Sequence, residues 1–387
     1  MKFLHLADLH FGKIVNGFSM CDEQAHIVKE ILQIVDRERP DALLLAGDIY
    51  DRSIPSETAV RLYDEFLTAL SQRAVPVLAI SGNHDSAERL SFGERLMESS
   101  GIYTYAAFDG RLRRIDFLDE HGALHIYLLP FIKPYGARAF FPASDISTYQ
   151  DAFCAALNAS PIDASARNVL VAHQFVLPQS RSADLSDSEQ HQVGGVDCID
   201  AALLYDFDYV ALGHLHKAQA MGQPYIRYAG SPLKYSFSEA GESEGQSIQK
   251  SVTLVELGAK GDMSIREIPL HPLRDLREIR GCFSDLIAPA FLASQSTEDY
   301  LHITLTDEEE IYDAIGKLRV HYPHIMQLDY DNRRSRSVTH LQQPSSVESC
   351  GPGELFFDFF QEMNGQPPNE LQLSLVENRL QEEGESR

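Results

Sequence analysis

Residues 42–51, ALLLAGDIYD, carry the reading on which the fold turns. Five apolar side chains, Ala42 to Ala46, have the length and composition of a strand buried on both faces. The run stops at Gly47, which permits a tight turn, and Asp48 follows at once on what must be a loop at a sheet's edge. The same grammar recurs along the chain. FLHLA (3–7) leads into Asp8 and His10 of ADLH, and VPVLAIS (75–81) into Asn83, His84 and Asp85 of SGNHD. NVLVAH (168–173) ends on His173, and DYVALGH (208–214) on His214 and His216 of GHLH. Helical patterns near 22–39 and 57–73 separate the first three runs, with Pro40 and Pro76 at the helix-to-strand turns. The order is β-α-β-α-β, with polar donors at the carboxyl ends of strands, where α/β sheets place their sites.

Asp, Asn and His are the donors that hard-to-borderline divalent cations need, so the pattern reads as a two-metal hydrolase. Asp48, charged and placed between the other groups, is the candidate for a carboxylate that touches both ions. Asp8, His10 and one histidine of GHLH suit one ion; Asn83, His173 and the other suit the second. The two rings of GHLH lie two residues apart, share one side of an extended segment, and can reach neighbouring ions. His84 remains to protonate a leaving oxygen, with Asp85 expected to hold its ring and Asp51 to support from behind. A lone histidine in such a loop is more often an ordinary hydrogen-bonded surface residue. Five groups in this order, each at a strand end, are not explained that way. His5, His26, His121, His125 and His191 lack such a context and read as structural.

The chain has 387 residues, enough for one large domain with an appendage or for two domains. It lacks eighteen consecutive apolar residues, so no membrane span is expected. MKFLHLADLH is interrupted by His5 and Asp8 and does not make a secretory signal. Cys21, Cys154, Cys198, Cys282 and Cys350 are odd in number and widely spaced, as reduced thiols of a cytoplasmic protein would be. The net charge of -24 argues, alone, against nucleic acid. Residues 271–387 hold 10 basic and 21 acidic side chains, so part of that charge sits away from the motifs. Bound cations would offset more, and a nuclease can meet phosphate through metals and a few basic groups. Lys13, Arg52, Arg89, Arg181 and Lys217 lie in or near the motif loops and can contact phosphates, surface ion pairing being the plain alternative. No aromatic–basic interleaving is evident, so neither base stacking nor sequence-specific readout is expected.

From about 221 the character changes. IRYAGS, SVTLVELG and MSIREIPL look like successive strands of a second sheet rich in antiparallel pairs. A first domain over 1–272 is then followed by a small α/β unit over 273–331, read from REIRGCF, DLIAPAFLA, YLHITLT, EEIYDAIGKLRVHY and HIMQLDY. Residues 332–353 read as a polar linker. Residues 354–387 read as two short helices whose stripe of Leu355, Phe356, Phe359, Phe360 and Met363 packs either on the chain's own core or on a partner.

The set DxH, GDxxD, GNHD, H and GHxH resembles the calcineurin-like metallophosphoesterase superfamily over about residues 1–260. That resemblance implies a four-layer α/β sandwich, two β-sheets flanked by helices, with two divalent metal ions of the Mn2+ type. It places Asp8, His10, Asp48 and His216 on one metal, Asp48, Asn83, His173 and His214 on the other, and makes His84 catalytic. GNHDSAERLSF, QVGGVD ahead of FDYVALGHLHKAQ, and IRYAGSPLKYSFSEA look like the SbcD subunits of bacterial SbcCD exonucleases. The small unit looks like that family's C-terminal capping domain. The implied activity is a Mn-dependent nuclease of DNA repair and recombination, with 3'-5' double-strand exonuclease and single-strand and hairpin endonuclease action. The implied assembly is a homodimer within a heterotetramer, bound through its tail to an SbcC-type coiled-coil ATPase. Some relatives carry a histidine where Asp51 stands, so Asp51 receives no proton-transfer role. Two other readings are a phosphoesterase of small substrates, which needs neither small domain nor apolar tail, and an inert scaffold. The complete donor set with His84 and Asp85 speaks against the scaffold.

Overall fold

The computed structural model describes residues 1–178, 198–243, 246–309 and 311–332, together with the single positions Phe357, Phe360, Pro368 and Gln372. Arg181, His191, the expected linker beyond Asn332 and nearly all of the expected tail lie outside the described residues.

The first compact unit spans Met1–Leu276. Its main elements are β1 (Lys2–Leu6), α1 (Cys21–Glu38), β2 (Ala42–Ala46), α2 (Glu57–Gln72), β3 (Val77–Ile80), β4 (Ile102–Tyr105), β5 (Arg113–Asp119) and β6 (Gly122–Leu129). They continue with α3 (Pro134–Arg138), α4 (Tyr149–Asn158), β7 (Arg167–His173), β8 (Tyr209–Gly213), β9 (Gln219–Met221), β10 (Gln223–Tyr228), β11 (Ser251–Leu257) and β12 (Met263–Pro269). The helix limits follow local chemistry. Helix α1 ends at Arg39 in the left-handed conformation, just before Pro40. Helix α2 starts at Ser56, whose hydroxyl accepts the Ala59 N–H at 3.2 Å.

Two six-stranded sheets result. The first runs β12-β11-β1-β2-β3-β4 and the second β9-β10-β8-β7-β6-β5. In the first, β1 to β4 are parallel, while β11 and β12 add on antiparallel. In the second, β10, β8, β7 and β6 are parallel, and antiparallel β9 and β5 close the edges. The expected separate sheet of late strands is therefore corrected. Gln223–Tyr228 joins the second sheet beside β8, whereas Ser251–Leu257 returns to cover the free side of β1. The reason lies in the side chains. All but one residue of β11 are buried, as an interior position requires, and β12 alternates toward solvent, as an edge strand does.

Between the sheets, Phe3, Leu44, Ala46, Leu78 and Ile80 meet Leu124, Ile126, Leu128, Val169, Val171 and Ala211. Alternate residues point outward. On the second sheet, Leu170, Leu212 and Tyr228 share a core with Phe153 and Ala156 of α4. On the first, Leu43, Leu45, Val77 and Ala79 are fully buried, and α1 and α2 offer the apolar faces that cover them. The result is a four-layer sandwich.

The second unit begins at Arg277. It contains β13 (Leu276–Gly281), α5 (Phe283–Leu286), α6 (Pro289–Ser294), β14 (Tyr300–Leu305), α7 (Ala314–Arg319) and β15 (Ile325–Tyr330). The sheet order is β13-β14-β15, with β14 and β15 parallel, over a core of Leu286, Leu301, Ile303, Leu318 and Tyr322. Among the described residues no helix is long and apolar enough to cross a membrane.

Leu44 is fully buried between the sheets. Leu44→Ala should cost about 2–5 kcal/mol, read as a lower denaturant midpoint, whereas Val60→Ala on the exposed face of α2 should stay within about 0.5 kcal/mol.

Candidate metal centre

The loops after β1 and β2 continue the pairing of their strands. The N–H groups of Asp8, His10 and Phe11 donate to the carbonyls of Gly47, Asp48 and Ile49 at 3.1, 3.0 and 2.9 Å. Two glycines then let other strand ends press in. A Cβ on Gly82 would run into the Asp48 carboxylate and backbone, and one on Gly213 into the Ala46 carbonyl and the His173 ring. Asp8, His10, Asp48 and His214 take positive φ values of 54°, 46°, 50° and 110°. Each such turn costs about 1–3 kcal/mol for a non-glycine residue and aims a side chain inward.

Eight of the sequence-expected residues meet at this edge. Ligating atoms of Asp8, His10 and His216 lie within 4.8 Å of one another, as do those of Asp8, Asp48 and His173, and those of His10, Asp48 and His84. Asp48 Oδ2 stands 3.7 Å from His10 Nε2 and 3.5 Å from His173 Nε2, so it reaches both sides. Asn83 Oδ1 is 3.0 Å from both His173 Nε2 and His214 Nδ1. His10 Nε2 and His216 Nε2 approach to 3.1 Å. Asp8 and Asp48 are 0% and 2% exposed, and among the described residues their side-chain ion-pair partners are all imidazoles. Buried His10 Nδ1 has no hydrogen-bond partner among the described residues. Nitrogen and oxygen donors packed this closely, with two carboxylates out of water, fit divalent cations.

Electrostatics point the same way. Burial pushes Asp8 up to about 7 against the pull of His173 and His216. Burial would also raise Asp48, but the neighbouring His173 and His10 hold it well below the carboxylate range. Burial alone would lower His173, yet Asp48 and Asp8 lift it to about 9. His214 is lowered to about 3 by burial and by His173. Without cations the centre therefore keeps protons on Asp8 and His173 near neutrality.

His84 is 30% exposed, and its Nε2 lies 3.9 Å from Asp48 Oδ2. Its main-chain N–H donates to Asp48 Oδ1 at 2.9 Å, and its Nδ1 sits 2.9 Å from the Asp51 carbonyl. The expectation that Asp85 holds this ring is corrected. The Asp85 carboxylate instead accepts the N–H groups of Ile49, Tyr50 and Gly82 at 3.1, 2.9 and 2.9 Å. Three loop amides with no strand partner claim it, so it locks the loop after β2 to the loop after β3. Lys13, expected to be a phosphate contact, is 2.7 Å from Asp51 Oδ1, and Arg52 Nε is 3.5 Å from Asp51 Oδ2. Arg89 is exposed. His5 bonds Tyr209 at 2.8 Å and His125 bonds Asp116 at 2.6 Å, both away from the centre.

Four supporting residues went unread in the sequence. Gln24 of α1 donates to the His10 carbonyl at 2.7 Å and accepts the Gly12 N–H at 2.9 Å. Tyr235 donates to the Leu9 carbonyl at 2.6 Å. Glu239 Oε1 stands 3.8 Å behind His216 Nδ1 and pairs with Lys250, whose ammonium also donates to the His216 carbonyl at 2.7 Å. Burial would raise Glu239, but Lys250 and His216 bring it to about 2. Tyr235 and Glu239 fall in IRYAGSPLKYSFSEA, where apolar periodicity is interrupted; Gln24 and Lys250 give no comparable signal.

Cation binding must displace the protons held by Asp8 and His173. Divalent-cation affinity should therefore rise with pH through about 7 and on toward about 9, with proton release visible by calorimetry in buffers of different ionisation enthalpy. If Asp48 is the expected carboxylate shared between cations, Asp48→Ala should lose its bound divalent metal, as read by elemental analysis after gel filtration; undiminished metal content would remove that role.

Residues 1–218 match the family model described as calcineurin-like phosphoesterase, and residues 272–364 the one described as type 5 capsule protein repressor C-terminal domain. The SbcD subunit of the SbcCD nuclease from Staphylococcus epidermidis is 31% identical over 389 residues, covering 98% of this chain and 98% of its own. Among solved structures, TT1561 of Thermus thermophilus matches at 11% identity and a TM-score of 0.38, covering 69% of this chain and 98% of that one. A dimetal phosphatase from Danio rerio matches at 12% identity and a TM-score of 0.36, covering 69% and 95%. With the phosphoesterase model spanning more than half of its residues and a full-length SbcD relative beside it, the chain belongs to the calcineurin-like phosphoesterases and, within them, to the SbcD nuclease family.

Proposed function

We propose that this chain is a DNA nuclease subunit that hydrolyses phosphodiester bonds with two manganese ions. The observation that carries the reading is the convergence of six donors around Asp48, with His84 at the open side. In this reading Asp8, His10, Asp48 and His216 hold one ion, and Asp48, Asn83, His173 and His214 the other. Such a pair supplies, when bound, charge neutralisation for the phosphodiester and a water made acidic enough to attack near neutral pH. The protein's own groups do the rest. Asp51's carbonyl fixes His84 through Nδ1, so Nε2 faces the centre and can hand a proton to the leaving oxygen. Lys250 and Glu239 hold His216 from behind, and Asp85 keeps the loops in register. Arg52 and Arg89 meet flanking phosphates from the loops after β2 and β3, with Arg181 a further contact.

The name of the Staphylococcus epidermidis relative, matched over its full length, supports a nuclease; action on DNA ends and hairpins, as a 3'-5' double-strand exonuclease and single-strand endonuclease in cytoplasmic DNA repair and recombination, is our extension of that reading. That name also supports a partner subunit of the SbcC kind, which we take to be a coiled-coil ATPase. A homodimer, a capping role for the small unit over 273–331 and ATPase docking on the tail over 354–387 belong to the same proposal.

The test is Mn-supplemented digestion of duplex, hairpin and single-stranded DNA beside a generic phosphodiester ester, with chelated protein as blank. His84→Ala should keep its metal and lose turnover by about 10²–10⁴-fold. Metal loss in step with activity would make His84 a ligand instead. Ester hydrolysis with no DNA cleavage, even with an SbcC-type ATPase and ATP, would favour a small-substrate phosphoesterase.

A further inference from the structure

Two cavities of about 380 and 400 Å³ lie beside the metal centre and share Asn83, Phe131 and Lys133 in their walls. The first opens on His214 and Phe175; the second runs away from the centre past Tyr135 and Phe140. Both are built by the stretch FIKPYG (131–136) that follows β6. Phe131 N–H donates to the Ser81 carbonyl at 3.0 Å, which pins this loop to the end of β3. Its ring stands edge-on to His173 with centroids 6.2 Å apart. The Lys133 ammonium lies 6.0 Å from the Phe131 ring centre, is exposed, and has no carboxylate or hydrogen-bond acceptor among the described residues. Tyr135 and Phe140 are 73% and 45% exposed, with Phe140 held edge-to-face by Phe108 at 5.4 Å.

Rings interleaved with a cation, Phe131 half-buried and Tyr135 exposed, beside a centre that takes phosphodiesters, are the ingredients of a single-strand stacking platform. Phe131, Lys133 and Tyr135 place two rings and a cation at alternate positions of this one loop, a pattern that went unread in the sequence. Cavities of a few hundred Å³ match small-ligand sites, and a base can lay its face on a protein ring only once it is out of a duplex stack. We infer that FIKPYG forms a subsite for one unpaired nucleotide flanking the scissile phosphate, its base on the aromatic wall and its own phosphate against Lys133. The inference rests on the nuclease reading and names the part of the substrate that this side of the centre takes. Because every base has a face to stack, the subsite is indifferent to sequence.

The test compares manganese-loaded full-length protein with a Lys133→Ala, Tyr135→Ala double variant and with Tyr135→Phe. Substrates are single-stranded oligonucleotides carrying an abasic residue at each position flanking the scissile bond in turn, with a generic phosphodiester ester as reference. For the original protein, kcat/KM relative to the ester should fall about 5- to 100-fold when the base is missing at one flanking position. The double variant should show that loss already on the intact oligonucleotide and no further loss on the abasic one, while Tyr135→Phe keeps the base dependence. Equal relative kcat/KM in the double variant, or a base dependence that survives in it, overturns the subsite and leaves the nuclease reading standing. Ester hydrolysis by the original protein with no oligonucleotide cleavage overturns the nuclease reading and the subsite with it.

Discussion

Two carboxylates held out of water, Asp8 and Asp48, set the terms for the rest of this structure. An uncompensated buried carboxylate costs several kcal/mol, and no lysine or arginine among the described residues pairs with either one. Partial compensation comes from the chain itself: the His214 amide on Asp8, the His84 amide on Asp48, and a ring of imidazoles. The left-handed turns, the glycines that admit neighbouring strand ends, and the Asp85 clamp all serve to hold like charges where folding alone would not leave them. Divalent cations complete that compensation, which is why the site and the fold cannot be explained separately.

The first sheet and the donor positions were legible because each strand, turn and donor is contiguous in the chain. ALLLAGDIYD states its strand, its glycine and its carboxylate within ten residues. The small unit was legible for the same reason, its strand–helix–strand–helix–strand order being local. The sheet to which Ser251–Leu257 belongs was not, because a short apolar run reads alike in either sheet and only pairing with β1 settles it. Strand β5 went unread since its alternation, RRIDFLD, is too polar to stand out. Asp85 misled for a different reason: adjacency to His84 in sequence suggested contact, while three unpartnered amides across the loop made the stronger claim on its oxygens. Gln24, Glu239 and Lys250 matter only through what they face, which one-dimensional spacing does not record.

The strongly acidic balance of the chain and a polyanionic substrate are compatible once the basic groups are sorted by what they already hold. Lys13 and Arg52 lean on Asp51, and Lys250 is buried against Glu239. Arg89 and Lys133 stand in solvent, in the stretches that follow β3 and β6. Among these groups, the cations left open to a phosphate lie near the metal centre, and the net negative charge of the chain opposes non-specific adsorption to polyanions.

The pairing of Leu4 with Leu254 has a consequence for how the protein is made. At ribosomal rates of about 5–20 residues per second, β1 waits roughly 12 to 50 seconds for the strand that covers its open side. Through that interval the nascent chain carries β1, KFLHL, with one edge unpaired, and the GHLH histidines are still unsynthesised for most of it. Such high contact order makes folding slow and exposes the intermediate to aggregation. Shielding of that edge during synthesis then matters to yield alongside the stability of the finished sandwich.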